Sequence, residues 1–244
     1  EIENTRIRGM VQLTKTDRDY PDNKLTGAEF TVYRDSNGNK ELDADDALVG
    51  TLTETGIGVY EMSDLLYGGY FVKETKAPEG FYLDDNAYYF EIVEDGKIVT
   101  VENEAGKGFV NAPQVGSLKI IKTSSDGKVE GFSFRVTGPN GYAGVFTTDK
   151  NGEIIIDDLR IGEYVVSEVS DGASSAYVLP ADKTASVFEG AVTKVEMHNE
   201  LRDTPKTGDD SNPARWLALL GVSAAGAAVL GVVGFRKRRK EGAE

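Results

Sequence analysis

The chain has no cysteine, a single histidine and a single tryptophan among its 244 residues. Disulfide stapling, a thiolate nucleophile and a thiolate metal cage are therefore excluded. With His198 alone there is no histidine cluster for zinc either. No glycine-rich phosphate loop is present, and before Trp216 no stretch sustains a helical period long enough to bury a face. Positive charge is also scarce: 27 Lys and Arg stand against 41 Asp and Glu, a formal net charge of −14. That balance argues against nucleic acid and anionic lipid as partners, and for solubility outside a cell.

The one long apolar run lies near the C-terminus. Trp216 to Phe235 is uncharged over 20 residues, which as a helix reaches about 30 Å, the thickness of a bilayer core. Arg236-Lys237-Arg238-Arg239-Lys240 follows, and positive charge on that flank puts Glu1 to Asp210 outside the cell. Thr204-Pro205-Lys206-Thr207-Gly208 and a polar spacer precede the run. The order of pentapeptide, spacer, span and basic tail resembles an LPXTG-type cell-wall sorting signal, with Thr204 where the pattern has Leu. The resemblance implies a sortase as partner, whose thiolate attacks the Thr207 carbonyl and releases Gly208. The threonyl group then passes to a peptidoglycan precursor or a neighbouring pilin subunit, and the span is a transient membrane tether. Residues 208–244 hold six basic and four acidic side chains, so the sorted product carries 21 − 37 = −16. Sorting requires export, and no leader precedes Glu1, so a further N-terminal portion is expected.

Residues 1–203 alternate Tyr, Phe, Val and Thr with polar residues, and turn pairs such as Asn37-Gly38, Asp95-Gly96 and Asn151-Gly152 break the runs. This predicts a mainly β architecture of short antiparallel strands. The pattern repeats. Asn4, Gly9, Val11, Leu13 and Lys15 share their spacing with Asn111, Gly116, Leu118, Ile120 and Lys122. Likewise Gly58, Asp64, Leu65, Gly68, Tyr70 and Glu74 match Gly152, Asp158, Leu159, Gly162, Tyr164 and Glu168. The predicted organisation is the end of a truncated repeat at 1–6, domains at 7–113 and 114–202, and the sorting signal at 203–244.

Val11-Gln-Leu-Thr-Lys-Thr-Asp17, Gly27-Ala-Glu-Phe30 and Tyr70-Phe-Val-Lys-Glu-Thr-Lys-Ala-Pro-Glu-Gly-Phe81 resemble the CnaB or SpaA-type prealbumin-like domain of pilins and surface adhesins. The resemblance implies two tandem CnaB-like β-sandwich domains over about residues 7–200, followed by the single C-terminal transmembrane helix. Strand parity points Lys15, Glu74 and Asn111 into one core and Lys122, Glu168 and Asn199 into another, while Lys119 falls on the opposite face. Buried charge demands a partner. A hydrogen-bonded polar core satisfies it; the family resemblance implies instead a self-formed Lys–Asn amide, with Glu74 and Glu168 as the bond-forming acids.

The stretch Asp35 to Asp46 places Asp35, Asn37, Asn39, Glu41, Asp43 and Asp46 at positions 1, 3, 5, 7, 9 and 12 of a possible Ca²⁺ loop. Lys40 replaces the turn glycine, and the other reading is a solvated hairpin loop. No other cofactor is implied. His198 alternates outward. The functional expectation is a cell-wall-anchored structural or adhesive surface protein, a pilin-like stalk; the alternative is a wall-anchored surface enzyme whose catalytic domain lies upstream.

Overall fold

The computed structural model describes residues 6–203. Its strands follow the alternation that the sequence carries. In β1 (Arg8–Asp17) Val11, Leu13 and Lys15 are buried, and in β10 (Val115–Ser124) Leu118, Ile120 and Lys122 are. β-branched and aromatic side chains on one face of a pleated strand pack against a second sheet, and the polar face meets water.

Two sandwiches result. In the first, one sheet has the order β4 (Thr53–Gly56), β5 (Val59–Leu66), β1, β8 (Ile98–Thr100), and the short β9 (Phe109–Asn111) also pairs with β1. The facing sheet runs β3 (Ala47–Thr51), β2 (Glu29–Arg34), β6 (Gly68–Lys76), β7 (Ala87–Ile92). Val11, Leu13, Phe30, Tyr60, Val72 and Phe109 fill the space between them. The Phe30 ring meets Tyr60 and Phe109 edge-on at 5.1 and 4.9 Å.

In the second sandwich one sheet runs β13 (Glu153–Arg160), β10, β17 (Val192–Leu201), β15 (Tyr177–Val178). The other runs β12 (Ala143–Thr147), β11 (Ser133–Thr137), β14 (Gly162–Glu168), β16 (Lys183–Val187). Leu118, Phe132, Phe134, Tyr164 and Met197 form its core.

The sequence pattern predicts antiparallel strands throughout, and the structure departs from this at three pairings, β1 with β8, β1 with β9 and β10 with β17, which are parallel. The first and last strands of each sandwich lie side by side and parallel: β17 tracks β10 from Ser117↔Val192 to Ser124↔Asn199. In the first sandwich the same role is divided, β8 covering Met10 to Gln12 and β9 covering Lys15 to Asp17. Parallel neighbours need a crossover connection, and here most of the domain serves as one. Repeated residues mark where the geometry is tight. A Cβ on Gly116 would stand 2.1 Å from the Phe188 carbonyl oxygen, beside a bulge between Gly116 and Leu118. Asp64 and Asp158 both adopt left-handed backbone, φ 62° and 56°, a conformation that Asp tolerates better than most residues.

The two sandwiches are tied at Arg160, which donates bidentate hydrogen bonds to Asp17 at 2.6 and 2.7 Å and a third to Asp19 at 2.9 Å. Asp17 is only 2% exposed. Burial alone would raise its pKa, but the Arg160 fork together with the backbone N–H groups of Asp19 and Tyr20 outweighs that and holds it below the ordinary 3.8. Arg160→Ala leaves this carboxylate buried without its fork and is expected to destabilise the protein by about 3–5 kcal/mol in chemical denaturation. Arg160→Lys, which keeps the charge but not the fork, is expected to fall between. The contribution is present above pH 3.8 and is lost as pH falls through the depressed pKa, so the gap between wild type and Arg160→Ala is expected to close in acid.

Among the described residues no helix is long and apolar enough to cross a membrane. The span at 216–235, the basic tail and the motif Thr204 to Gly208 lie outside the described residues.

Candidate functional site

In the first sandwich three strands deliver one polar side chain each into an otherwise apolar core. Lys15 comes from β1, Glu74 from β6 and Asn111 from β9, and their exposures are 0%, 0% and 2%. Glu74 touches both partners. Its two oxygens accept from Asn111 Nδ2 at 2.9 and 2.8 Å, and Oε1 lies 3.9 Å from Lys15 Nζ. The lysine donates to the Phe109 carbonyl at 2.9 Å, which aims it at the strand that bears Asn111.

Burial sets the electrostatics. It lowers the Lys15 pKa to about 8 against the opposing pull of Glu74, Asp84 and Asp17. It raises that of Glu74 against the hydrogen bonds from Asp84 N–H and Asn111. Both shifts favour the neutral pair, amine and carboxylic acid, over the ion pair.

The second sandwich repeats the residue types with a looser arrangement. Lys122 and Asn199 are buried, whereas Glu168, at the end of β14, is half-buried. Asn199 Nδ2 donates to Glu168 Oε1 at 2.6 Å. Lys122 donates to the Thr123 carbonyl at 2.5 Å and sits 4.3 Å from the Phe132 ring centroid. Burial again lowers the lysine pKa and raises that of the glutamate.

Three buried side-chain oxygens among the described residues have no hydrogen-bond partner: Asn111 Oδ1, Asn199 Oδ1 and Glu168 Oε2. All three belong to these clusters. An unpaired buried carbonyl is costly. Half a turn of the Asn111 amide brings its oxygen to Glu74, where a protonated carboxyl can donate to it.

The acidic loop closes on itself. Asp35 Oδ1 accepts from Gly38 N–H, Asn39 Oδ1 from Glu41 N–H, and Asp46 Oδ1 from Ser36 N–H. Asn37 and Asn39 both donate Nδ2 to Asp43 Oδ2, at 3.1 and 2.7 Å. Lys40 adopts φ 61°, the left-handed conformation its position requires. Among the described residues no three His, Cys, Asp or Glu groups converge to hold a metal ion. His198 lies on the exposed face of β17, with Nδ1 2.8 Å from Thr123 Oγ1.

Residues 9–105 and 116–201 match the SpaA prealbumin-like fold domain, one copy for each sandwich. The chain belongs to that family. Among solved structures, the SpaA repeats resemble the Bacillus anthracis TIE protein at 25% identity and a TM-score of 0.60, over 79% of this chain and 34% of that one. They thus span about a third of that protein's length. A minor pilin of Streptococcus agalactiae aligns at 19% identity and a TM-score of 0.37, over 82% of this chain and 99% of that one. A C-terminal fragment of the pilus adhesin SpaC from Lactobacillus rhamnosus GG aligns at 16% identity and a TM-score of 0.46, over 82% and 99%. No curated protein matches the chain.

Several residues around the first SpaA cluster carry no signal in the sequence. Asp84 donates its backbone N–H to Glu74 Oε2 at 2.9 Å, and Asn103 grips Val110. Both sit in irregular segments, where periodicity says nothing. Arg160 stands where the first repeat has Leu66, and that difference between repeats is the one sign that could have drawn attention to it.

Proposed function

We propose that this protein is a cell-surface, pilin-like stalk whose two SpaA repeats each close on a self-formed lysine–asparagine amide. The observation that carries the reading is the recurrence, in both sandwiches, of a buried lysine and a buried asparagine beside a glutamate, with the asparagine carbonyl unpaired in each. Lys15 Nζ attacks Asn111 Cγ; the new N–C bond replaces the Cγ–Nδ2 bond, and Nδ2 leaves as ammonia with one proton from the amine. Glu74, protonated, donates to the carbonyl oxygen and relays the proton between the nitrogens. Lys122, Glu168 and Asn199 do the same in the second repeat. Nothing turns over afterwards, so the glutamates act once.

Intact mass is the test, since each bond lightens the chain by one ammonia. Sortase attachment through Thr207, to peptidoglycan precursor or to a neighbouring pilin, completes the proposal; the tail's four-part order supports it. A bond between first and last strands suits such a stalk, because tension entering at one end crosses the covalent link and bypasses most of the domain.

We also propose weak calcium binding at Asp35 to Asp46. The oxygen spacing and the left-handed Lys40 support it. The ion must replace the amide donors of Asn37 and Asn39 on Asp43, so calorimetry on the whole chain is expected to register a dissociation constant of about 10⁻⁴–10⁻³ M. Asp43→Ala is expected to abolish the heat, and a wild-type chain with none would leave a hairpin loop.

A further inference from the structure

We infer that Asp84 and Asn103 are positioning residues for the first repeat's cross-link, holding the acceptor strand and its acid in register. This inference rests on the amide-forming reading above.

The last strand of the first sandwich is interrupted. β8 leaves β1 opposite Gln12, and β9 rejoins it opposite Lys15. From the intervening detour Asn103 turns back onto β9. Its Oδ1 accepts from Val110 N–H at 2.6 Å, and its Nδ2 donates to the Val110 carbonyl at 2.8 Å. One side-chain amide thus satisfies both main-chain groups of the residue beside Asn111, as a neighbouring strand would. The same Nδ2 donates to Asp84 Oδ2 at 2.9 Å, and Tyr88 OH donates to that oxygen at 2.7 Å. Asp84 then closes the circuit through its own backbone N–H, 2.9 Å from Glu74 Oε2.

A short strand of three residues, β9, has little register of its own. The clamp supplies that register and hands Glu74 a donor that fixes its rotation. The second repeat is built otherwise: β17 runs unbroken along β10, and Glu168 Oε2 has no hydrogen-bond partner. Each chain therefore contains its own control. Asp84 also places a negative charge near Lys15 and Glu74, and this favours the protonated form of both.

The test follows both cross-links in the whole chain during cell-free synthesis, quantifying the Lys15–Asn111 and Lys122–Asn199 branched peptides against time. Asn103→Ala is expected to slow the first bond by about tenfold to a hundredfold, the cost of a misplaced reacting group, and to leave the second at the wild-type rate. Asp84→Ala is expected to do the same. Asp84→Asn keeps an acceptor oxygen and is expected to restore the rate, with its pH dependence displaced to lower pH because the charge that holds the proton on Lys15 is gone. A residue with only a structural role would shift melting without changing the ratio of the two rates at temperatures where both repeats are folded. An unchanged ratio in Asn103→Ala overturns the inference while the amide-forming reading stands. If the wild type yields neither branched peptide, that reading falls, and the inference with it.

Discussion

Intact mass spectrometry of residues 6–203 is expected to give a value about 34 Da below that of the sequence, one ammonia of about 17 Da for each repeat. The geometry behind this is strongest in the first repeat. There a lysine with its pKa brought to about 8 and a glutamate with its pKa raised share a core with an asparagine whose carbonyl is unpaired. Glu74→Ala is expected to restore one ammonia's mass and Glu168→Ala the other. Glu74→Gln, which keeps the volume but cannot donate a carboxyl proton, is expected to behave like Glu74→Ala. Bond formation is expected to pass through a maximum with pH, because the neutral Lys15 amine, with its pKa brought to about 8, gains population as pH rises while the protonated Glu74 that the step also needs is lost.

The bond also bears on stability. It closes 111 − 15 = 96 residues in the first repeat and 199 − 122 = 77 in the second. By the loop-entropy account used for disulfides, each closure contributes on the order of 4–5 kcal/mol. For domains of this size that corresponds to a melting temperature lower by roughly 20 °C or more in the uncross-linked variant. Glu74→Ala removes a buried partner of Lys15 as well, so Lys15→Met is the cleaner comparison for heat. A full, undiminished mass in the wild type would leave two buried polar clusters and no amide. A deficit of one ammonia would assign the bond to a single repeat, and peptide mapping would say which.

Replacing Thr207 or Gly208 by alanine is expected to move the protein from the wall fraction to the membrane fraction almost completely. The proposed transfer runs through a thioester at the Thr207 carbonyl, so a side chain the sortase does not recognise there stops the first step. In the proposed transfer Pro205 suits a protease-like cleft, because proline fixes its own φ and disfavours helix at the residue before it. The span at 216–235 and the basic tail would then hold the unsorted chain as an ordinary membrane anchor. Immunoblots of separated wall and membrane fractions read the outcome. Wall attachment of Gly208→Ala equal to that of the wild type would sink the sorting proposal. Ladders of high mass in the wall fraction would indicate a polymer, and a single band a monomeric surface protein.

Period-two alternation was enough to assign faces. Val11 and Leu13 define an inward side, and Lys15 shares it because the third residue of an alternation has nowhere else to point. The same parity separates Lys122, buried, from Lys119, which reaches Glu153 at 2.6 Å on the other face. The internal repeat supplied the correspondence of lysine, glutamate and asparagine, since both copies must solve the same packing problem. What alternation cannot encode is which strand lies next to which. The parallel pairing of first and last strands, the division of one strand into β8 and β9, and the contact between Arg160 and Asp17 across 143 positions all depend on where the chain returns. That return is decided by the combined packing of two sheets, to which no local window has access. Glu168 shows the limit most plainly. Its parity matches that of Glu74, yet it lies half-buried at the end of β14, because enclosure depends on the loops that cover a strand's end and not on the strand's own pattern.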